Sequence, residues 1–301
     1  MATRTDWTGV GTALVTPFTG NGEIDEAAYR RLARRQVDAG VHILVPCGTT
    51  GEVPTLTAAE KSRLVTIAVE EAKGKARVLA GAGGYNTQEV IHSVAEFEQL
   101  GADGILSVTP YYNRPTQEGL FQHYRAIAES TKLPIILYNV PGRTGCNIEP
   151  ATLVRLAAIR NIVGVKEASG NITQIAEICR SVPSGFAVLS GDDALTLPLM
   201  ALGGHGIISV ASNEVPGEMV AMVEAFERGD LAEARRMNNM LMPLMQVNFT
   251  ESSPGPVKFA MAEMGLCEAN YRLPMVPVSD ASAEKIRKIL HGTRWPSMVK
   301  A

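Results

Sequence analysis

Short apolar runs alternate with amphipathic segments along the first two thirds of the chain. Runs rich in Val, Ile and Leu predict strands that are buried on both faces. The runs are TALVTPF (12–18), HILVPCG (42–48), RVLAGAG (77–83), ADGILSVTP (102–110), PIILYNV (134–140), IVGVKEAS (162–169), FAVLSGDD (186–193) and GIISVASN (206–213). The intervening segments have helical spacing: 25–40 ends at a glycine, and 57–74 begins with Thr57 and Glu60 spaced as a capping box.

Eight strand–helix units in one chain predict an α/β fold, in which a parallel sheet closes into a (β/α)8 TIM barrel. The alternative is an open, doubly wound sheet. That fold usually carries a GxGxxG fingerprint after a strand, and the nearest match here, GAGG at 81–84, has the wrong spacing. The closed barrel is therefore the favoured prediction.

The strand pattern stops near residue 214. Residues 215–249 predict two helices separated at Gly229, and helical patterns continue to His291. A group of methionines at 237–245 falls on helical spacing, which indicates core or interface packing. We therefore predict a catalytic barrel over 1–214, followed by a C-terminal helical extension over 215–301.

Composition excludes several classes of partner. The 301 residues are 46% hydrophobic and carry a formal net charge of -3, which offers no strong field for nucleic acid or an anionic membrane. Residues 194–213 are uncharged, but Pro198 and Gly203 interrupt them, which favours a helix, a turn and a strand over a membrane span. The amino terminus has no apolar signal segment and the four cysteines form no CxxC pair, which predicts a cytoplasmic protein with free thiols.

Polar and reactive side chains recur where the predicted strands end, which is the active-site face of a parallel barrel. They are 48–52 after the second strand, 111–115 after the fourth, Tyr138 and Arg143 at the fifth, Lys166 on the sixth, and 191–193 after the seventh. Lys166 stands out, because an ammonium group in an apolar strand must be paired, neutralised or used in chemistry.

Each of these residues also has a structural explanation. Lys166 could pair with a neighbouring carboxylate, Tyr138 could be a core tyrosine, and 49–50 could be turn residues. Asp192 and Asp193 could bind a metal, but no His or carboxylate cluster accompanies them and there is no HExxH motif. The five histidines are scattered without a Ser or Cys partner motif. Neither a metal site nor a hydrolase triad is predicted.

Lysine and tyrosine without a metal or nucleotide motif fit Schiff-base catalysis. A neutral lysine amine attacks a ketone, and apolar surroundings favour a neutral amine over an ammonium ion. The iminium then draws electrons, so a proton leaves the adjacent carbon and an enamine nucleophile forms. Tyr138 is the candidate proton shuttle, and Arg143 could hold a substrate carboxylate. No metal or organic cofactor is predicted.

Seven motifs extend this interpretation: TALVTPF, GTTGE, VTPYYNRPTQEGL, YNVPGRTG, VKEASGN, LSGDD and GGHGIISV, in that order. On these motifs the chain resembles the dihydrodipicolinate synthase family of the pyruvate-dependent aldolase superfamily, which includes N-acetylneuraminate lyase. GTTGE alone is shared with sister aldolases, whereas YYNRP with QEGL, followed by YNVPGRTG, is more similar to the synthases. The resemblance implies condensation of pyruvate with L-aspartate 4-semialdehyde to 4-hydroxy-tetrahydrodipicolinate, in diaminopimelate and lysine biosynthesis.

The resemblance also implies a role for each matching residue. Lys166 would be the Schiff-base lysine and Tyr138 the proton-shuttling tyrosine. Thr49 and Tyr112 would complete a hydroxyl relay, with Tyr112 supplied by the neighbouring subunit of a tight dimer. The substrate-binding set would comprise Thr50 for the pyruvate carboxylate, Arg143 for the semialdehyde carboxylate, and the backbone of Gly191 and Ile208. Family members are commonly dimers of tight dimers, so a homotetramer is expected.

One region departs from the family pattern. Lysine-inhibited members have a regulatory pocket at the tight-dimer interface, and the matching positions here are Val53, Pro54, Ala58, Lys61 and Tyr85, while Glu89 and Tyr111 remain. Lys61 would place a positive charge where the ammonium group of the effector would sit, and like charges repel. We therefore predict weak or absent inhibition by lysine.

Two alternatives stay open. A sister aldolase acting on a sugar acid or hydroxy-oxo acid would keep Lys166 and Tyr138, but Arg143 suits a compact acidic acceptor and argues against it. A non-catalytic barrel scaffold would not need Lys166, Tyr138 and Thr49 together. Cys47 is expected to pack as a small apolar residue.

Overall fold

The computed structural model describes residues 7–292 and residue 295. Eight parallel strands form a closed barrel in chain order. The strands are β1 Gly9–Ala13, β2 Ile43–Val45, β3 Arg77–Gly81, β4 Gly104–Val108, β5 Ile135–Asn139, β6 Ile162–Glu167, β7 Ala187–Ser190 and β8 Gly206–Ser209. The predicted barrel is confirmed, and the open-sheet alternative is wrong because β1 pairs with both β2 and β8.

Helices surround the barrel and continue beyond it. They are α1 Glu26–Asp38, α2 Ala58–Ala72, α3 Thr87–Gln99, α4 Gln117–Glu129, α5 Pro141–Thr144, α6 Pro150–Ala157, α7 Ile172–Ser181, α8 Thr196–Ala201, α9 Pro216–Glu227, α10 Leu231–Val247, α11 Gly255–Glu263 and α12 Asp280–Gly292. The predicted capping box begins α2: Thr57 N donates to Glu60 Oε2 over 2.8 Å, and Glu60 N donates to Thr57 Oγ1 over 3.3 Å.

Alternate residues of each strand face two different cores. On β5, Ile135 and Leu137 pack in the layer between strands and helices, whereas Ile136 and Tyr138 face the barrel lumen. This alternation follows from the twofold period of a strand. It decides which side chains can reach the active-site end of the lumen.

The first strand differs from the predicted 12–18. β1 begins at Gly9 and contains a second glycine, Gly11, although glycine is unusual inside a strand. Gly9 and Gly206 approach so closely that a Cβ atom on Gly206 would lie 2.0 Å from the Gly9 carbonyl oxygen. Beyond β1 the chain leaves the barrel wall, and Phe18 forms an isolated antiparallel bridge with Ile24. Close backbone packing, which composition does not reveal, sets the position of β1.

The two helices predicted over 215–249 are α9 and α10, and Gly229 lies between them at a φ of 81°. Met219 of α9 shares an apolar cluster with Val10 of the barrel wall. Met245 of α10 is buried in the same cluster, so at least part of the methionine group packs in the core as predicted.

Residues 194–213 contain α8 and β8, joined by a turn, which confirms the helix–turn–strand prediction. Within residues 7–292, no helix is both long enough and apolar enough to cross a membrane. The division of the chain at residue 214 stays a prediction.

Candidate active site

Lys166 and Tyr138 face each other inside the barrel. They are register partners on β6 and β5, and Lys166 Nζ lies 4.2 Å from the centroid of the Tyr138 ring. The two residues are only 5% and 6% exposed, so both groups are withdrawn from bulk water. The structure thus brings the predicted lysine and tyrosine together at the end of the barrel where such folds carry their active sites.

Gly191 and Ile208 lie beside the lysine–tyrosine pair in the lumen, while the substrate-binding role of their backbone stays a prediction. A Cβ atom at Gly191 would lie 3.0 Å from Lys166 Cε and 2.7 Å from Ala168 Cβ, so glycine leaves room for the lysine chain. Ile208 is fully buried on β8 and belongs to the same lumen cluster as Tyr138.

The two predicted threonines lie in the turn that follows β2. Thr49 is half-buried and Thr50 is fully enclosed, and a hydrogen bond of 3.0 Å from Gly51 N to Gly48 O closes the turn. Thr49 and Tyr138 line the same cavity, whose volume is about 170 Å³. The structure therefore places Thr49 on the Tyr138 side of the site.

Glu52, the last residue of the GTTGE motif, is held by a buried ion pair that the sequence analysis missed. Lys258 of α11 donates to Glu52 Oε1 over 2.7 Å, and neither side chain is more than 1% exposed. Lys258 Nζ also lies 4.2 Å from the centroid of the Phe18 ring. Burial lowers the pKa of Lys258, and the Glu52 carboxylate acts in the opposite direction. Through this pair, α11 anchors the turn that carries Thr49 and Thr50.

Arg143 lies on α5, in the turn after β5, and is exposed. Its Nη2 donates to the Ser253 carbonyl oxygen over 3.2 Å. Among residues 7–292 and 295, Arg143 forms no ion pair, so the guanidinium keeps donors for an acidic ligand. Ser253 lies two residues before the start of α11, so the C-terminal helical extension reaches the site at a second point.

Tyr112 stands apart from the other predicted residues. It lies in the loop after β4, is 90% exposed, and has a φ of 64°, a region that is strained for a residue with a side chain. Its neighbour Tyr111 instead packs edge-to-face on Tyr85, with ring centroids 5.1 Å apart. A ring as exposed as that of Tyr112 is not part of the lumen of its own chain.

Most positions of the predicted regulatory pocket line the cavity shared by Thr49 and Tyr138. These lining residues are Val53, Lys61, Tyr85, Glu89 and Tyr111. Lys61 is half-buried and forms no ion pair within the described part of the chain. A positive charge therefore stands in this cavity, while the response to lysine itself stays a prediction.

Asp193 is buried, and its carboxylate is hydrogen-bonded within the protein rather than open to a ligand. Its Oδ2 accepts hydrogen bonds from Val210 N and Ala211 N over 3.1 and 3.3 Å, and its Oδ1 accepts one from the Ser209 hydroxyl. Burial raises the pKa of Asp193, and these hydrogen bonds oppose that shift. In the described ranges, no group of three or more His, Cys, Asp or Glu side chains is arranged to hold a metal ion.

Cys47 packs beside the site. It is 3% exposed, and its Sγ lies 3.6 Å from the Lys61 carbonyl oxygen. Burial raises the pKa of the Cys47 thiol to about 12, so the thiol is protonated at neutral pH. These observations support the packing role predicted for it.

A closed barrel whose lumen presents a lysine beside a tyrosine has the arrangement of a Schiff-base aldolase. Comparison with known proteins agrees with this class. The sequence profile of the Dihydrodipicolinate synthetase family matches residues 6–293. The chain therefore belongs to this family, as the resemblance implied.

Curated relatives and solved structures give the same result. The chain is 52% identical to the 4-hydroxy-tetrahydrodipicolinate synthase of Koribacter versatilis over 93% of this chain and 94% of that protein. It is 46% identical to the dihydrodipicolinate synthase of Thermotoga maritima, with a TM-score of 0.93 over 95% of this chain and 98% of that chain. The chloride-inhibited synthase of Acinetobacter baumannii complexed with pyruvate is 40% identical, with a TM-score of 0.92 over 94% of this chain and 98% of that one.

Proposed function

We propose that this protein condenses pyruvate with L-aspartate 4-semialdehyde to give 4-hydroxy-tetrahydrodipicolinate, a step that feeds diaminopimelate and lysine synthesis. The observation that carries the proposal is the buried Lys166 Nζ, 4.2 Å from the centroid of the Tyr138 ring, in a chain 52% identical to a relative named for this synthase. A similar solved structure, described as complexed with pyruvate, supports the first substrate.

The reaction begins at Lys166. Its amine attacks the C2 carbonyl of pyruvate, and loss of water leaves an iminium. The positive charge of the iminium allows C3 to lose a proton, which gives an enamine. C3 of the enamine attacks the aldehyde carbon of the semialdehyde, and the new alkoxide takes up a proton. The amino group of the semialdehyde then attacks C2, closes the ring and expels the lysine amine.

Proton movement is assigned to three hydroxyl groups. Tyr138 lies beside the lysine, and Thr49 lines the same cavity as Tyr138. Tyr112 of the neighbouring subunit would complete the relay, and its 90% exposure in one chain supports this assignment. General acid–base groups need hydrogen-bond reach of the reacting atoms, which only assembly would give Tyr112.

Substrate binding is assigned to the surrounding turns. Thr50 would hold the pyruvate carboxylate together with the backbone of Gly191 and Ile208. Arg143 would receive the carboxylate of the semialdehyde through its planar fork of donors. Its exposure and its position next to β5 support this role. No metal or organic cofactor takes part in the proposed steps.

The assembly and location belong to the same proposal. A tight dimer is required if Tyr112 acts across subunits, and two such dimers would form the homotetramer expected from the family. A cytoplasmic location fits an enzyme whose proposed substrates are small metabolites.

An assay with several acceptors tests the proposal. Purified protein is given pyruvate with L-aspartate 4-semialdehyde or with a panel of sugar aldehydes, and pyruvate consumption is followed. Turnover only with the semialdehyde is the expected result. Turnover with another aldehyde alone would indicate a sister aldolase that retains the Schiff-base mechanism. No turnover with any acceptor would contradict the proposal and favour the scaffold alternative.

A further inference from the structure

Two buried polar side chains bond to each other directly behind the lysine–tyrosine pair. Asn139 follows Tyr138 on β5 and Glu167 follows Lys166 on β6, so both point away from the lumen. Asn139 is fully buried and Glu167 is 1% exposed. Asn139 Nδ2 donates to Glu167 Oε2 over 2.9 Å.

The other polar atoms of this pair are also bonded. Asn139 Oδ1 accepts from Ile148 N over 2.9 Å, and Glu167 Oε1 accepts from Ser169 N over 2.8 Å. Asn139 Nδ2 makes a second bond, to Asn147 Oδ1, over 2.9 Å. Glu167 forms no ion pair within residues 7–292 and 295, so these N–H donors hold its carboxylate. Moving a buried carboxylate away from its donors is costly, because it then has no partner.

The strand that carries the lysine has an irregular pairing. Ile135 of β5 pairs with Ile162 of β6, but Ile136 pairs with Gly164. One residue, Val163, is therefore extra on β6, which is the arrangement of a β-bulge. A second register, without this bulge, differs from the observed one by a single residue.

A slip of one residue would reverse the two faces of β6. Without the bulge, Val165 would lie opposite Tyr138 in the lumen, and Lys166 would lie opposite Asn139 and face the helices. In the observed register Tyr138 is opposite Lys166, and Asn139 is opposite Glu167. The Asn139–Glu167 hydrogen bond can form only when both side chains lie on the outer face, so it stabilises the register that presents the lysine.

We propose that Asn139 and Glu167 are a positioning pair whose hydrogen bond selects the register of β6 that turns Lys166 toward Tyr138. The inference rests on the proposed function, because it concerns how the Schiff-base lysine is presented to pyruvate. Neither side chain faces the lumen, so the pair acts on the reaction only through the lysine.

Reversing the direction of the hydrogen bond tests this proposal. In Asn139→Asp the new carboxylate faces the carboxylate of Glu167. In Glu167→Gln the new amide N–H group faces an N–H donor that the carboxylate had accepted from. In the double variant Asn139→Asp/Glu167→Gln the glutamine amide can donate to the new carboxylate, so the bond is restored with its polarity reversed. The matched control is Thr12→Val, which removes a buried hydrogen bond of 2.8 Å from Thr12 Oγ1 to Gln36 Oε1, far along the barrel from β6.

The first readout is the rate of covalent trapping of the protein by borohydride at a limiting concentration of pyruvate. The second is kcat and the KM for each substrate. Each single variant is expected to be trapped at least about tenfold more slowly than the parent, the size of effect that an unsatisfied buried group produces. The double variant is expected to recover most of that loss, because the two changes are coupled. Thr12→Val is expected to lower the melting temperature and leave the trapping rate unchanged.

Single variants that are trapped as fast as the parent, or a double variant no faster than Glu167→Gln, would overturn the positioning role. If Asn139→Asp does not fold, the comparison of Glu167→Gln with the double variant still decides. Failure of the parent protein to be trapped at all would instead contradict the proposed function, so the two failures are distinguishable.

Discussion

Lys258 and Glu52, which are 206 residues apart in the chain, form a buried ion pair of 2.7 Å. Glu52 adopts a left-handed conformation at a φ of 53°, immediately after the turn that contains Thr49 and Thr50. The pair therefore joins the C-terminal helical part to a wall of the proposed active site. The hydrogen bond from Arg143 to the Ser253 carbonyl joins the same part to another wall.

Removal of Lys258 alone is expected to be strongly destabilising. Lys258→Met leaves the Glu52 carboxylate buried without its cation, which costs about 3–5 kcal/mol in comparable pairs. Urea denaturation followed by circular dichroism measures the loss. In the control Glu52→Gln/Lys258→Met no charge is left buried, so much of the stability should return. A double variant as unstable as the single one would show that the unpaired charge is not the cause.

Mixed dimers test whether Tyr112 acts across subunits. Tyr112→Phe and Lys166→Ala should each lower kcat by at least about 100-fold. A mixed dimer would have one intact site, in which Lys166 of one chain meets Tyr112 of the other. Random mixing should therefore restore about a quarter of the sites, since half of the dimers are mixed. Mixing Tyr112→Phe with the double variant Lys166→Ala/Tyr112→Phe should restore none. An inactive mixture in which mixed dimers are demonstrated would contradict the relay.

L-Lysine is expected to inhibit weakly or not at all. The Lys61 ammonium group lines the cavity that would receive the effector and repels a second ammonium group. The initial rate at saturating pyruvate should stay nearly constant across a lysine titration, and Lys61→Ala should become more sensitive than the parent. Complete inhibition of the parent at sub-millimolar lysine would show that this prediction is wrong.

Acid is expected to destabilise the protein partly through His123. Burial lowers the pKa of His123 to about 4, and its Nδ1 lies 2.9 Å from Thr87 Oγ1. The pKa of a histidine in the unfolded chain is about 6.5, so unfolding between pH 4 and pH 6.5 is accompanied by uptake of a proton. The free energy of unfolding that His123 contributes above pH 6.5 is therefore lost as the pH falls. The expected loss at pH 4.5 is about 2–3 kcal/mol, at about 1.4 kcal/mol for each pKa unit.

The variant His123→Gln isolates this contribution, because the other groups titrate in both proteins. The difference in unfolding free energy between parent and variant should be smaller at pH 4.5 than at pH 7, or should change sign. An equal acid dependence in the two proteins would exclude His123 as a source of it.

The periodic features of the chain could be predicted from sequence, because they depend on local chemistry. The capping box at Thr57 and Glu60, the break at Gly229 and the lysine on β6 all follow from neighbouring residues. The position of β1 could not, because it depends on the close approach of Gly9 to Gly206.

Contacts at the site between residues on different elements also could not be predicted from the sequence. Glu52 was visible in its motif, but nothing local indicates that its partner is Lys258 on α11. Asn139 and Glu167 lie next to the predicted catalytic residues, yet their bond depends on the register of two strands. Sequence periodicity assigns side chains to faces, whereas register and tertiary contacts decide which of them meet.

The most direct test of the account is to locate the pyruvate adduct. The parent protein is treated with pyruvate and borohydride, digested, and mapped by mass spectrometry, with Lys166→Ala as the control. The account predicts a single modified peptide that contains Lys166, and no adduct in the folded variant. An adduct on a different lysine, or an adduct that persists in Lys166→Ala, would contradict it.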